Sequence, residues 1–259
     1  MGSLAGKSPA NTYKSLLKVA DETNGVTGTL STVEDGEGTS SSLSVSQGQI
    51  MIYPNSDTIR TLRVRNASGT DLLVVDTSNS LVKVGTSQVS ATTQLLTFSA
   101  YRIVPVAGHH YYVGLGSAEY QSHNAETSAG NGTDPFTAVD HGNSTQYLVT
   151  YLFNVPYNIT IDACKAFLST HSDADSTINT HLMSYDMVAD GTTSDGNLSN
   201  GTVLADGQAT SVDRNVIKSI DMTIQSSSVT SGKVIACFVE NVTDTNYINI
   251  QVQVKYHIA

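Results

Sequence analysis

Residues Ile248-Asn-Ile-Gln-Val-Gln-Val-Lys-Tyr-His-Ile258 form the stretch that decides the fold of this chain. Apolar and polar side chains alternate along it without a break. Because successive side chains of a β-strand point to opposite faces, the alternation gives one apolar and one polar face. A strand of this kind covers a core on one side and meets solvent on the other. We therefore predict an all-β, non-catalytic protein with this strand in its C-terminal domain.

Shorter apolar runs lie upstream of this strand, separated by polar loops that include 186–200 and 226–231. The strand candidates among them are 147–153, 159–168, 177–185, 219–224 and 233–239. Several short strands joined by polar turns are typical of antiparallel sandwiches. Residues 147–259 are therefore predicted to form a C-terminal antiparallel β-sandwich, similar to a jelly roll.

Residues 23–95 contain a smaller β module. Its last three strand candidates, 59–64, 72–75 and 81–84, follow one another closely and are separated by short polar turns. Strands of about five residues joined by such turns form a meander. This meander is too small to enclose a hydrophobic core, so its apolar face must pack against another surface. Identical copies around a three-fold axis are the simplest cover, which predicts a homotrimeric shaft.

The first 22 residues differ from the rest of the chain. Ser8-Pro-Ala-Asn11 breaks regular structure, and residues 12–19 are compatible with one or two helical turns. No second apolar stripe lies nearby, so the segment needs a partner surface to become ordered. We interpret residues 1–22 as an attachment arm, with Tyr13, Leu16 and Leu17 as its contacts.

Residues 96–146 are predicted to connect the two β regions. They are apolar at first, whereas 116–146 lack periodicity and are rich in small polar residues. A loop of that length is either a long surface loop or a receptor-contacting surface. The chain has no tryptophan, so any glycan recognition would rest on tyrosines. The candidate receptor contacts are Tyr111, Tyr112 and Tyr120.

The charge of the chain excludes some partners. Thirteen basic and 23 acidic residues give a net charge of −10. Without a cluster of lysines and arginines, binding to nucleic acid through phosphates or to an anionic membrane is not expected. No signal-peptide core and no apolar run of membrane-spanning length occurs, so we expect a protein made in the cytoplasm. Cys164 and Cys237 are then expected to be buried free thiols.

No group of side chains in the sequence indicates a catalytic, metal or cofactor site. The adjacent His109 and His110 point to opposite faces of an extended segment and cannot share a metal. His171 and His181 have no Cys or carboxylate at the spacing of zinc ligands. An axial cluster of one histidine from each chain of a trimer stays open. No glutamate, Glu240 included, is expected in an apolar setting, so we predict no enzyme, no metal and no cofactor.

Three stretches resemble structural proteins of tailed bacteriophages, marine ones especially. The segment 62–85, with Leu-Leu-Val-Val-Asp, a polar turn and Val-Gly in succession, looks like the short shaft modules of phage fibres. The segments 8–17 and 33–45 are similar to N-terminal attachment regions of virion proteins. The stretch from 181 to 258 looks like the head domain of the same group.

This resemblance implies a homotrimeric virion component with an N-terminal anchor, a short intertwined shaft and an outward β-sandwich. Its partners would be copies of itself and capsid or tail proteins. A capsid decoration protein or head fibre and a short tail fibre both agree with the short shaft. The alternative is a receptor-binding module for a host-surface glycan or protein, and a polysaccharide depolymerase is a third hypothesis.

Overall fold

The computed structural model describes residues 16–21, 23–85, 89–116, 129–140, 145–171, 175–189 and 197–259. Within these residues the chain is built from antiparallel β-strands, which confirms the all-β prediction. It divides into two compact units, Met1–Ala91 and Thr92–Ala259. We call them the N-terminal unit and the C-terminal unit.

The N-terminal unit consists of two four-stranded sheets in which each strand pairs with the next in sequence. Its strands are β1 Lys18–Val19, β2 Ser31–Glu34, β3 Ser40–Val45, β4 Ile50–Ile52, β5 Leu62–Arg65, β6 Asp71–Asp76, β7 Leu81–Val84 and β8 Val89–Ser90. The predicted meander is therefore confirmed, with β8 as an additional strand. Its first turn needs Gly69, whose φ of 82° lies in the left-handed region that glycine adopts most readily.

The predicted helical turns of the arm are wrong where the structure describes them. Lys18 and Val19 are extended and pair with Glu34 and Val33 of β2. The Lys18 ammonium also lies 3.3 Å from the Glu34 carboxylate. An available strand edge thus overrides a weak local helix preference. Residues 12–15 lie outside the described residues.

The C-terminal unit contains the other ten strands and a 3-10 helix at Thr145–Thr150. Its strands are β9 Thr93–Ile103, β10 His110–Val113, β11 Leu152–Asn154, β12 Ile159–Thr170, β13 Ser176–Met187, β14 Leu198–Val212, β15 Lys218–Ile224, β16 Ser228–Val229, β17 Val234–Asn241 and β18 Ile248–Ile258. The predicted strand at 147–153 is mostly wrong, because the 3-10 helix occupies its first half.

These ten strands form one antiparallel sheet, in which eight follow the order β10-β17-β13-β14-β15-β12-β18-β9, while β11 pairs with β17 and β16 pairs with β12. A bridge between Phe98 of β9 and Leu115, just after β10, brings the two ends of the order together. The result is a nearly closed, barrel-like sheet. Its main core draws on both halves of the strand order, because Phe98, Ile250, Leu182 and Val239 belong to the same buried cluster.

The alternating segment takes the position that its pattern predicts. β18 pairs with β12 on one side and with β9 on the other. Ile248, Ile250, Val252 and Val254 are 0–4% exposed, and the polar residues between them face outward. The strand is therefore central in its half of the sheet, with one face in the main core.

The predicted domain boundaries need two corrections. β9 and β10 lie in the supposed connector 96–146, but they pair with β18 and β17 and belong to the barrel. β14 begins in the predicted loop 186–200 and runs for 15 residues along β13. Its glycines and polar residues hide it from hydrophobic periodicity, because long-range pairing holds it in place.

A second apolar cluster lies on the opposite face of β10, β13 and β17. Along β17, Cys237 and Val239 face the main core, whereas Ala236 and Phe238 belong to this second cluster. All eight residues of β17 are buried. This double burial explains why the strand is a continuous apolar run without alternation.

Candidate functional site

Three neighbouring strands bring two histidines and a glutamate together at one end of the second cluster. His110 of β10 is directly opposite Glu240 of β17, and Asn179 of β13 is opposite Glu240 on its other side. His181 is two residues beyond Asn179 and therefore shares its face. The register of the sheet thus places His110, His181 and Glu240 on one face.

The three side chains are close to each other and buried. One potential ligand atom from each of the three lies within 4.8 Å of the other two. The two imidazole rings meet edge to face, with centroids 5.0 Å apart and an angle of 86°. His110 is 0% exposed, and His181 and Glu240 are each 5% exposed. These are the residues that could hold a metal ion.

Hydrogen bonds engage the outer atoms of two of the three residues. His110 Nε2 is 2.9 Å from the carbonyl oxygen of Gly132, which can only accept. Glu240 Oε2 accepts from Asn179 Nδ2 at 2.7 Å, and Asn179 Oδ1 accepts from Gln208 Nε2 at 2.8 Å. By contrast, Nδ1 of His110 and both ring nitrogens of His181 are buried without a hydrogen-bond partner.

His181 is held in the neutral form. Burial, and then the neighbouring His110, lower its pKa to about 4, whereas Asp134 and Asp206 act in the opposite direction. Asp134 Oδ1 lies 3.6 Å from His181 Nδ1, and the Asp134 side chain is 54% exposed. A neutral imidazole keeps a lone pair, which is the form that binds metals.

The segment 129–140 packs over this cluster. The His110 amide donates to the Gly130 carbonyl, and the Ala129 amide donates back to the His110 carbonyl. The hydroxyl of Tyr185 donates to the carbonyl of Phe136. This described part of the predicted loop 116–146 is therefore tied to the barrel.

Sequence reasoning missed this cluster. It treated His110 and His181 as separate residues, and it did not predict that Glu240 is buried beside them. The three residues come from three strands that are far apart in sequence, so no short sequence motif indicates that they meet. Polar residues inside otherwise apolar strands could have indicated the cluster, because a buried polar group needs a partner.

The predicted contact residues differ in their exposure to solvent. Tyr111 and Tyr112 are 1% and 0% exposed, so their prediction as receptor contacts is wrong. Tyr111 packs in the main core and Tyr112 against Phe238 in the second cluster, which explains the burial. Tyr13 and Tyr120 lie outside the described residues. Leu16 and Leu17, proposed for attachment, are 45% and 75% exposed.

The sheet β5–β8 carries an apolar face that is only partly covered. Residues directly opposite each other share a face, and the pairings place two rows of three apolar side chains on it. The rows are Leu62, Val75 and Val82, and Val64, Leu73 and Val84. None of the six is buried. The opposite face holds Arg63, Lys83 and the buried Asp76.

The C-terminal unit has a shallow groove of about 400 Å³ on its surface. Tyr101, Ile217, Asn249 and Gln251 are among its lining residues. Tyr101 is 51% exposed and Ile217 is 77% exposed. The groove therefore offers an accessible aromatic ring beside side-chain amides.

Cys164 and Cys237 are buried free thiols, as predicted. Both belong to the main core, and burial raises the pKa of Cys164 to about 12. A thiol in this state is a small apolar side chain and a poor nucleophile.

No protein-family model matches the sequence, and no curated protein matches it significantly. None of the described residues belongs to a helix with the length and apolarity needed to cross a bilayer.

Proposed function

We propose that this chain is a bacteriophage virion structural protein that assembles as a homotrimer. The N-terminal unit is its attachment and shaft region, and the C-terminal unit is its head, with a sandwich-like core. A capsid decoration protein, a head fibre and a short tail fibre are the forms that agree with this proposal. The chain acts by binding and has no catalytic role.

The apolar face of β5–β8 is the observation that carries the proposal. Val74 is the only buried apolar side chain among the described residues of the N-terminal unit. A sheet with this little core gains too little from burial to be stable alone. Three copies that pack Val64, Leu73 and Val84 against one another would remove this face from water.

The first sheet of the N-terminal unit supports the same proposal. Ile50, Met51 and Ile52 of β4 are 76%, 40% and 38% exposed. Successive residues of a strand point to opposite faces, so both faces of β4 lack cover. Exposed apolar patches of this kind mark interaction surfaces in soluble proteins.

Labelling of purified particles tests the virion role directly. Antibodies against the full-length protein are applied to particles of the phage that encodes it, and gold is located by electron microscopy. The proposal expects regular labelling at the capsid surface or the tail. Its absence from intact particles, with the protein found only in infected cells, would contradict the proposal.

The groove of the C-terminal unit favours receptor binding as a second function. The exposed Tyr101 ring can stack on a sugar face, and the exposed Gln251 amide can form hydrogen bonds with its hydroxyls. Full-length protein should then bind host cells, and Tyr101→Ala should weaken this binding at least tenfold. If the variant binds host cells as well as the unchanged protein does, the groove is not the receptor-binding site.

The buried cluster gives depolymerase activity less support than the groove gives receptor binding. The side chains of His110, His181 and Glu240 are 0–5% exposed, which leaves a polysaccharide no access to them. Incubation of host polysaccharide with the full-length protein is expected to release no reducing ends. Their release would contradict the structural role.

A further inference from the structure

We propose that His110, His181 and Glu240 bind one Zn²⁺ ion inside the C-terminal unit. The inference goes beyond the virion role and does not depend on it. It rests on the register that places the three side chains on one face and on their potential ligand atoms within 4.8 Å of one another. It differs from an axial trimer site, because all the ligands come from one chain.

Burial of the unpartnered nitrogens is the first reason for the site. Buried polar atoms in folded proteins almost always have a hydrogen-bond partner, and exceptions call for an ion or a water molecule. Here Nδ1 of His110 and both ring nitrogens of His181 lack one. The charged form of a buried carboxyl group is also costly without an opposite charge, and Glu240 is 5% exposed. A divalent cation would bind one nitrogen of each ring and would supply the opposite charge.

The hydrogen bonds that surround the cluster are the second reason. Nε2 of His110 is hydrogen-bonded to the Gly132 carbonyl, which leaves Nδ1 for a metal. Asn179 holds Oε2 of Glu240, with Gln208 behind it. Metal ligands are commonly oriented in this way by an outer shell of hydrogen bonds. Asp134 lies 3.6 Å from Nδ1 of His181, where a carboxylate can fix the tautomer that presents Nε2 to the ion.

The chemistry of the ligands favours Zn²⁺ over Ca²⁺ and Mg²⁺. Two imidazoles with one carboxylate form a common zinc ligand set, whereas Ca²⁺ and Mg²⁺ prefer oxygen ligands alone. Ligand atoms about 2.0–2.2 Å from Zn²⁺ lie closer together than 4.8 Å, so the side chains close in on the ion. Three protein ligands leave the fourth position of a tetrahedral ion to a water molecule, and the bound ion would tie β10, β13 and β17 together.

Titration of the full-length protein tests the site. The protein is stripped with a chelator and titrated with zinc chloride by isothermal titration calorimetry, and metal content is measured by mass spectrometry. We expect one Zn²⁺ per chain, a dissociation constant of about 1 µM or tighter, and a higher unfolding temperature with zinc. Bound Co²⁺ should show the visible absorption of a low-symmetry nitrogen and oxygen site.

Variants separate this site from surface histidines. Glu240→Gln keeps the shape of the side chain, and it should weaken zinc binding by more than 100-fold. Asn179→Ala removes only an outer contact and should weaken binding about 10- to 100-fold. His257→Ala is the matched control, because His257 pairs with Asp162 at 2.8 Å and belongs to no group of three potential ligands among the described residues. It should bind zinc as the unchanged protein does.

Two results would overturn the site. One is a full-length protein, folded by circular dichroism, that binds zinc no more tightly than about 100 µM. The other is a Glu240→Gln variant with unchanged zinc affinity. If Glu240→Gln fails to fold, His181→Gln replaces it, and unchanged affinity there would likewise overturn the proposal.

Discussion

The two units of this chain use β-sheet in opposite ways. In the C-terminal unit, the nearly closed sheet encloses a main core, and a second cluster covers the outer face of three strands. In the N-terminal unit, the sheet β5–β8 has an apolar face of six side chains, and none of them is buried. Both units are built from antiparallel strands. The difference shows that strand propensity does not provide a core, and that closure or partners must do so.

The largest expected effect lies in the core of the barrel. Leu96 of β9 is 7% exposed, and its neighbour Leu95 is 76% exposed. Leu96→Ala should lower the free energy of unfolding by about 2–5 kcal/mol, because it removes buried contacts and leaves a cavity. Leu95→Ala should change it by less than about 0.5 kcal/mol. Urea unfolding of both variants measures the contrast, and equal losses would show that the core is misassigned.

An intermediate effect is expected in the N-terminal unit. Val64 lies on the apolar face of β5–β8 and is 47% exposed, and Leu72 lies on the opposite face and is 45% exposed. Val64→Asp should weaken trimer formation by at least about 2 kcal/mol, because it places a charge in the interface. Leu72→Asp should leave the trimer intact. Sedimentation velocity compares them, and a stable Val64→Asp trimer would move the interface elsewhere.

A smaller effect is expected from pH in the same sheet. Hydrogen bonds from Lys83 and then Asn79 lower the pKa of Asp76. A lowered folded-state pKa gives stability that is present above the unfolded value of about 3.9, and that is lost as the pH falls through the folded value. Calorimetry below about pH 4 should show the N-terminal unit losing stability, and Asp76→Asn should flatten this dependence. Asp221→Asn, at a largely exposed position of the barrel, is the control.

Much of the fold was predictable, because local patterns determine it. The alternation of β18 predicts a strand with one buried face, and the turns at Asn66 and Asp76 predict the meander. Long-range pairing was not predictable in the same way. β14 is rich in polar residues and glycines, and it is a strand because β13 holds it along most of its length.

The candidate site was less predictable than the fold. His110, His181 and Glu240 meet only after the register of β10, β17 and β13 is known. The burial of Tyr111 and Tyr112 follows from the same register, and so the receptor prediction for them was wrong. In contrast, the need of the meander for a cover follows from strand length alone, and this prediction remains to be tested.

The mass of the full-length protein in solution tests the central claim most directly. Sedimentation equilibrium at micromolar concentration is compared for residues 1–259 and residues 92–259, the second of which retains both buried clusters. The account predicts a trimer for the full chain and a folded monomer for the C-terminal unit. A monomeric full chain would contradict the claim that the N-terminal unit exists to bring copies of this protein together.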